Sequence, residues 1–478
     1  MSKDSDPAFL EALEKWVDAH QEELVADVIK LVNIRSVKED PIEHKPFGPG
    51  PAAVIDKGLE LGKQYGFKTE NDDYYTLSFL RKGKTEKELG ILGHVDVVPE
   101  GNNWTYDPYH AVVADGHIVG RGSGDNKGPS VAALYTLRAL DDLKVELNHT
   151  IRVIWGANEE SGMEDVKHYV KTHTEFPDYT LICDGKFPVC IGEKGNLSGD
   201  LVFDISADGN LIDFTGGVVR NAVPDRASML IKADLQKVRE SLKNADVTVS
   251  AGESRADGPT VKIETTGIAG HAAHPEGTVN AIQKLARLVS DAGLLTGTAC
   301  GAVQFIAEAF ADYYGAGLNI ASEDEISGKT THIGGLIRLE NGKLLQNFNS
   351  RVAIKTDPAS LIPGLNELAE QRHFIIENLR NGPPRYDAPD SPQVKVLVET
   401  AKQFLGEDLP PPYTTGGGTH AKHFPRSIPF GAAVPRKEGA EKKFGSAHSA
   451  DEGIAIADLI QAIKIYVVAL IRLDELYK

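Results

Sequence analysis

Apolar residues recur at helical spacing over residues 9–34, at Leu13, Trp16, Val17, Leu24, Val28 and Leu31, which predicts an amphipathic surface helix. Asp6 stands at its N-cap and Pro7 at its first position. Residues 36–51 carry four prolines and two glycines, too many breakers for regular structure, so a loop is expected there. A second helical pattern spans 53–65. Beyond it, continuous apolar strands alternate with helices: strand 89–94, helix 129–143, strand 151–157, helix 163–172, strand 179–183. That rhythm predicts right-handed βαβ units and a mainly parallel sheet with helices on both faces. Past Gly195 the pattern changes to longer alternating strands (196–205, 227–233, 260–265) with helices at 235–244 and 277–292, an α+β insertion. Segments 223–242 and 348–368 share a plan of strand, Arg, apolar residues, Asp and helix, a likeness that stops short of an internal repeat. Dense Gly, Pro and Asp over 381–392 mark a second boundary. The expected domains are 1–194 with 387–478, and 195–386. The last helix is expected to open on a capping box, Ser449 with Glu452.

At 478 residues the chain is too long for one small module, and its 41% hydrophobic and 25% charged content suits globular domains with large cores. The net charge of −18 repels nucleic acid and anionic lipid, so neither is an expected partner. Cys183, Cys190 and Cys300 form no C-x-x-C pair, which argues against thiolate metal sites and suits a reducing compartment. The polar, acidic N-terminus does not resemble a signal peptide, and no apolar run approaches the roughly 18 residues of a membrane helix, so a cytosolic protein is expected.

Polar clusters follow the apolar strands, where open α/β sheets put their active sites. In GHVDVVP, His94 and Asp96 are two apart in extended chain and share a face, so Asp96 can hold one imidazole nitrogen while the other binds a metal. In GRGSGDNKG, Asp125 precedes a helix, where it can bridge two cations or simply cap the helix. Glu159 and Glu160 end the next strand pointing in different directions, one able to bind metal and the other to act as a base. Asp184 follows a fourth apolar strand, and His448 precedes the last helix. Imidazole and carboxylate ligands without thiolate suit zinc, with cobalt or manganese as substitutes. Five such ligands with one bridging Asp describe a two-metal hydrolytic site.

These clusters resemble the signature of the di-zinc metallopeptidase family that includes aminoacylases, carnosinases, succinyl-diaminopimelate desuccinylase and bacterial dipeptidases. The resemblance implies one Zn2+ on His94 and Asp184, a second on Glu160 and His448, and Asp125 bridging both through a cis Asp125–Asn126 peptide. It implies that Asp96 orients His94, and that Glu159 is the general base for attack by a metal-bridging hydroxide. The insertion then corresponds to the family's lid. Its length resembles the doubled lid of PepV-type dipeptidases, which implies a monomer. In GIAGHAAHPEG, His271 matches an oxyanion-stabilising histidine. Asn221 and Arg351 match positions that hold a substrate carboxylate, although Val352 and Ala353 stand where relatives have Tyr-Pro. Gly416, Gly417, Gly418 and Thr419 form a loop read either as closing on substrate or as a simple turn. It ends in His420 where many relatives carry Tyr.

The leading expectation is a dipeptidase acting on a small peptide with free termini. One alternative is an N-acyl amino acid amidohydrolase with the same metal chemistry. Another, of a different class, is a non-catalytic metal or peptide-binding protein, against which a free carboxylate at Glu159 argues.

Overall fold

The computed structural model describes residues 6–205, 209–253, 255, 258–436, 439 and 442–478. It divides into two compact units, one formed by Met1–Ile191, Asp387–Tyr413 and Gly418–Lys478, the other by Gly192–Tyr386 with Thr414–Gly417. The second unit therefore begins slightly earlier than the pattern suggests. It also takes in Thr414–Gly417 of the Gly-rich loop, which the sequence pattern places in the first.

The first unit is built on a six-stranded sheet in the order Lys68–Asp72, Thr76–Arg81, Thr150–Gly156, Glu88–His94, Tyr179–Ile182, Ser427–Pro429. The last four strands run parallel, whereas the first two pair antiparallel and form one edge. Along Glu88–His94 the side chains alternate between two cores. Leu89 and Ile91 pack with Leu134 and Leu137 of helix Gly128–Asp142 and with Val467 and Leu470 of helix Ile456–Leu476. Leu92 faces the other way, joining Ile154, Ile182 and the Val166 and Tyr169 side chains of helix Glu164–Thr172. Burial of each such aliphatic residue contributes roughly 1.5–3 kcal/mol, so a sheet with helices on both faces follows from apolar residues at both phases of the strand. Helix Pro7–Val32 is capped as expected, its Asp6 carboxylate accepting from the Ala8 N–H at 3.1 Å. The second helix, Pro49–Gln64, begins inside the stretch expected to be a loop. Pro49 and Pro51 fall in its first turn, where an N–H has no intrahelical partner to lose.

The second unit carries a nine-stranded antiparallel sheet. Hairpin Leu211–Gly216/Arg226–Lys232 leads into helix Leu235–Ser241 and then edge strand Thr248–Ala251. Hairpin Ile337–Glu340/Lys343–Val352 leads likewise into helix Ile362–Arg372 and then edge strand Ile375–Gly382. Asp234 and Asp357 cap the helical turns that follow the two hairpins. Among the described residues the two blocks join through the residue pair Gly216 with Ile337. Helices Ala281–Asp291 and Thr298–Ala309 bury Ile282, Leu285, Val303 and Ile306 against sheet residues that include Phe214, Met229, Ile263 and Phe348. Among the described residues no helix is long and apolar enough to cross a membrane.

Candidate active site

Strand Glu88–His94 delivers His94, fully buried, to the carboxyl end of the parallel sheet. Its neighbour Thr150–Gly156 runs on into Glu159 and Glu160, and Tyr179–Ile182 runs on into Asp184. Parallel, in-register strands thus end at one edge, which is why His94, the Glu159–Glu160 pair and Asp184, far apart in sequence, meet there. His94 Nε2 lies 3.0 Å from Asp125 Oδ1 and 3.9 Å from Asp184 Oδ2. His448 Nε2 lies 3.1 Å from Asp125 Oδ2 and 3.0 Å from Glu160 Oε1. Asp125 stands between the two imidazoles, and its peptide bond to Asn126 is cis. Donor atoms of His94, Asp125 and Glu160 fall within 4.8 Å of one another, as do those of His94, Glu159 and Asp184.

The carboxylates of this cluster are crowded and buried, and their ionisation is shifted accordingly. Burial first, then the charge of Asp125, pushes Glu160 up to about 7 and Asp184 up to about 6. Burial, with Asp184, Glu160 and Asp125 alongside, raises Glu159 well above its ordinary range despite His94. Asp125 goes the other way: burial opposes ionisation, but hydrogen bonds from His448 and His94 hold it below the usual carboxylate range. His448 is raised to about 11 by its hydrogen bonds to Asp125 and Glu160. A divalent ion bound here would offset the crowding of carboxylates in place of the protons on the two imidazoles. The donor set of imidazole and carboxylate fits zinc. Cys183 is not part of it, because burial raises its thiol to about 12 and its Sγ lies 3.7 Å from Asn126 Oδ1 within the core.

Asp96 does more than the sequence pattern suggests. Its carboxylate lies 3.5 Å from His94 Nδ1, and it accepts from the backbone N–H groups of Glu159 at 3.0 Å and Glu160 at 3.1 Å. One buried carboxylate therefore sets the position of an imidazole and of both glutamates. Asn126, expected only to share a cis peptide with Asp125, also has a side-chain role. Its Oδ1 accepts from the His94 N–H and its Nδ2 donates to the Cys183 carbonyl, tying two strand ends together. The room for this is made by Gly93, where a Cβ would stand 2.5 Å from Asn126 Oδ1. Asp165 accepts from the Asn158 N–H just ahead of Glu159, and lies 3.1 Å from Nε2 of the fully buried His420.

The expected capping box is not formed. Ser449 donates to the Ser446 carbonyl, and the last helix begins at Ile456 after strand Gly453–Ala455 has paired with His117–Val119. That pairing carries Glu452 inward. It accepts from Arg121 Nη1 at 2.6 Å and from the N–H groups of Gly124 and Asp125 at 3.0 Å each. The S-x-x-E spacing predicts a local cap, but the glutamate's partners are 327 to 331 residues away.

The remaining candidates lie elsewhere. In the second unit, Ala222 pairs with His271 across a short ladder, which brings exposed Asn221 and exposed His271 side by side. Arg351 sits on strand Lys343–Val352, flanked in register by Asn196 and Thr331. Gly416 and Gly417 belong to the second unit, Gly418 and Thr419 to the first. The Thr419 hydroxyl caps the short helix His420–Lys422 by accepting from the Ala421 N–H.

The family model of peptidase family M20/M25/M40 matches residues 90–472. "Putative dipeptidase YtjP" of Bacillus subtilis is 31% identical over 471 residues, covering 95% of this chain and 98% of its own. A protein of Staphylococcus epidermidis named "Putative dipeptidase" is 31% identical over 471 residues, covering 95% and 97%. Among solved structures, human carnosine dipeptidase 1 aligns over 98% of this chain and 100% of its own with a TM-score of 0.59 at 15% identity. The di-peptidase Dug1p of Saccharomyces cerevisiae aligns over 99% of each chain with a TM-score of 0.56 at 13% identity. At those identities the two structures speak for the fold.

Proposed function

The chain belongs to peptidase family M20/M25/M40, and on that premise we propose that it is a zinc-dependent dipeptidase cleaving substrates with free amino and carboxyl termini. The family is metal-dependent. The observation that carries the reading is the convergence of His94, Asp125, Glu160, Asp184 and His448 at one sheet edge with Glu159 among them. His94 and Asp184 would hold one Zn2+, Glu160 and His448 another, and Asp125 both; cobalt or manganese could substitute. When bound, the ions would supply Lewis-acid polarisation of the scissile carbonyl and a water acidified to about pKa 7.

Glu159 is left to move protons. Its backbone N–H is held by Asp96, and its carboxylate lies within 4.8 Å of donor atoms of His94 and Asp184. It takes a proton from the attacking water and returns it to the leaving amine, a role worth roughly 10²–10⁴ in rate. Asp96 and Asn126 are positioning residues that hold His94 and the glutamates in register.

The second unit supplies recognition in this reading. Arg351 would hold the free carboxylate with Asn221, His271 would stabilise the developing oxyanion, and the Gly416–Gly417–Gly418–Thr419 loop would close on substrate. Support comes from unmet hydrogen-bonding capacity: Arg351 Nε, Thr331 Oγ1 and Asn196 Oδ1 share one cross-strand row and are buried with no partner among the described residues. A buried guanidinium without a counterion is costly and is repaid by a carboxylate. The doubled plan of the second unit's sheet leads us to propose a monomer; light scattering at twice the chain mass would overturn that. The dipeptidase reading is tested by mass-spectrometric turnover of Leu-Gly, Leu-Gly-Gly and N-acetyl-leucine with zinc and after chelation. We expect metal-dependent cleavage of Leu-Gly alone. Cleavage of N-acetyl-leucine alone would assign the protein to the N-acyl amino acid hydrolases, and binding without cleavage would make it a binder.

A further inference from the structure

His420 and Asp165 are fully buried side chains that the proposed chemistry does not use. Both belong to the first unit. Asp165 stands in the first turn of helix Glu164–Thr172, and His420 opens the short helix whose capping Thr419 ends the Gly-rich loop. Ala421 and Phe424 fasten that segment into a core with Leu92, Ile154 and Ile182. The two side chains meet across the end of strand Thr150–Gly156. A Cβ on Gly156 would stand 2.2 Å from Asp165 Oδ2 and 2.8 Å from His420 Cε1, so glycine at this strand end makes the meeting possible.

Asp165 Oδ2 accepts from the Asn158 N–H at 2.9 Å and lies 3.1 Å from His420 Nε2, while Oδ1 accepts from the Val166 N–H at 2.7 Å. Asn158 roots the turn that carries the two glutamates. Its carbonyl accepts from the Met163 N–H at 2.8 Å and its side-chain oxygen from the Glu164 N–H at 3.3 Å. Three consecutive amides are thus bound to buried carboxylates, that of Asn158 to Asp165 and those of Glu159 and Glu160 to Asp96. A carboxylate taken out of bulk solvent depends on such donors, and His420 is the one Asp165 draws from a distant segment. His420 Nδ1 has no partner among the described residues, so the ring acts on the turn through Nε2. The same ring meets that of His94 edge-on, with centroids 6.1 Å apart.

We propose that His420, acting through Asp165, is a positioning residue for Glu159. The inference rests on the reading of Glu159 as general base. Without the Nε2 donor, Asp165 is free to turn, its hold on the Asn158 amide slackens, and the Glu159 carboxylate drifts from the water it deprotonates. A displacement of about 1 Å at such a group costs up to about 10² in rate. The loss falls on proton transfer and not on substrate binding, so kcat carries it and KM does not. A role in closing the Gly-rich loop on substrate would show the reverse.

The test is a double-mutant cycle of His420→Met with Glu159→Gln, assayed at saturating zinc on whichever of Leu-Gly and N-acetyl-leucine the parent cleaves. His420→Gln is measured beside it, and the zinc Kd of each protein is read by competition with a chromogenic chelator. Met fills a similar volume without a donor, whereas the Gln amide nitrogen reaches Asp165 from the place of Nε2. His420→Met should lower kcat by about 10–10² with KM within about threefold, and His420→Gln should keep kcat within about fivefold of the parent. In the Glu159→Gln background His420→Met should cost less than about threefold, because the group it positions is gone. The zinc Kd should move by less than about tenfold, the lower bound for loss of a residue that orients a metal ligand. Equal losses in the two backgrounds, a loss confined to KM, no rescue by Gln or a larger change in zinc Kd would overturn the inference and leave Glu159 as the base. If Glu159→Gln costs less than about tenfold, or the parent cleaves neither substrate, the base reading falls and the inference with it. Should His420→Met not fold, His420→Gln decides: kcat within about fivefold of the parent upholds the inference and a greater loss overturns it.

Discussion

Replacing Glu452 by Gln keeps the side chain's size and removes its charge at a site where both partners are buried, with side-chain exposures of 2% for Arg121 and 1% for Glu452. One amide oxygen can still accept from Gly124 and Asp125. The amide NH2 then faces Arg121 Nη1, so a donor meets a donor and the guanidinium loses its counterion. Removing one partner of a buried pair costs about 3–5 kcal/mol. Arg121 keeps its bond to the Glu100 carbonyl and the Trp104 ring 5.1 Å away, which places the expected loss near the lower end, about 3 kcal/mol. The double variant Arg121→Met with Glu452→Gln removes the stranded charge and should recover about 2 kcal/mol of it. Turnover should not recover in step. A neutral acceptor holds the Asp125 amide about half as strongly as a carboxylate, and a displacement of about 1 Å at such a residue costs up to about 10² in rate. Urea unfolding followed by tryptophan fluorescence reads the right unit, since Trp16, Trp104 and Trp155 are the chain's three tryptophans and all lie in the first. A Glu452→Gln protein within about 1 kcal/mol of the parent, or a double variant no more stable than the single one, would refute this reasoning.

Glu159→Gln should lower kcat by about 10²–10⁴ with KM changed only a few-fold, and a loss under about tenfold would remove it as the base. Zinc at about 1,000 times its Kd should stabilise the first unit by about 4 kcal/mol over chelated protein, read in the same tryptophan transition; an unmoved midpoint would contradict the metal site. His332 in the second unit is buried, 2.9 Å from the Ser350 hydroxyl, and burial lowers its pKa to about 4. A histidine depressed in the folded state stabilises fully above its unfolded value near 6.5 and loses that contribution as pH falls toward 4, here about 3 kcal/mol. His332→Phe should flatten that slope in urea melts of the second unit between about pH 6.5 and 4, and an unchanged slope would show that other groups carry it.

The parts of this protein legible in the sequence are those set by local periodicity. Helix Pro7–Val32 with its Asp6 cap, strands Glu88–His94 and Thr150–Gly156, and the change of character near Gly195 all come from hydrophobic spacing and turn residues that act within a few positions. The residues that converge on the candidate metal centre were legible for a related reason. His94, Glu160 and Asp184 each end or follow an apolar strand, and parallel strands finish at the same edge, so their sequence position translates directly into place; Asp125 and His448 come from segments outside that sheet.

What only the tertiary structure decided depends on partners distant in the chain. Glu452 has the spacing of a local cap, but strand pairing between Gly453–Ala455 and His117–Val119 turns it to a buried arginine and to the Asp125 amide. Asp96 was legible as a neighbour of His94 two residues away, not as the acceptor for two amides from another strand. Desolvation is the common physical reason. A charged side chain reads as solvent-facing in any local pattern, and only the packing of remote strands determines which of them lose water and must find a fixed partner.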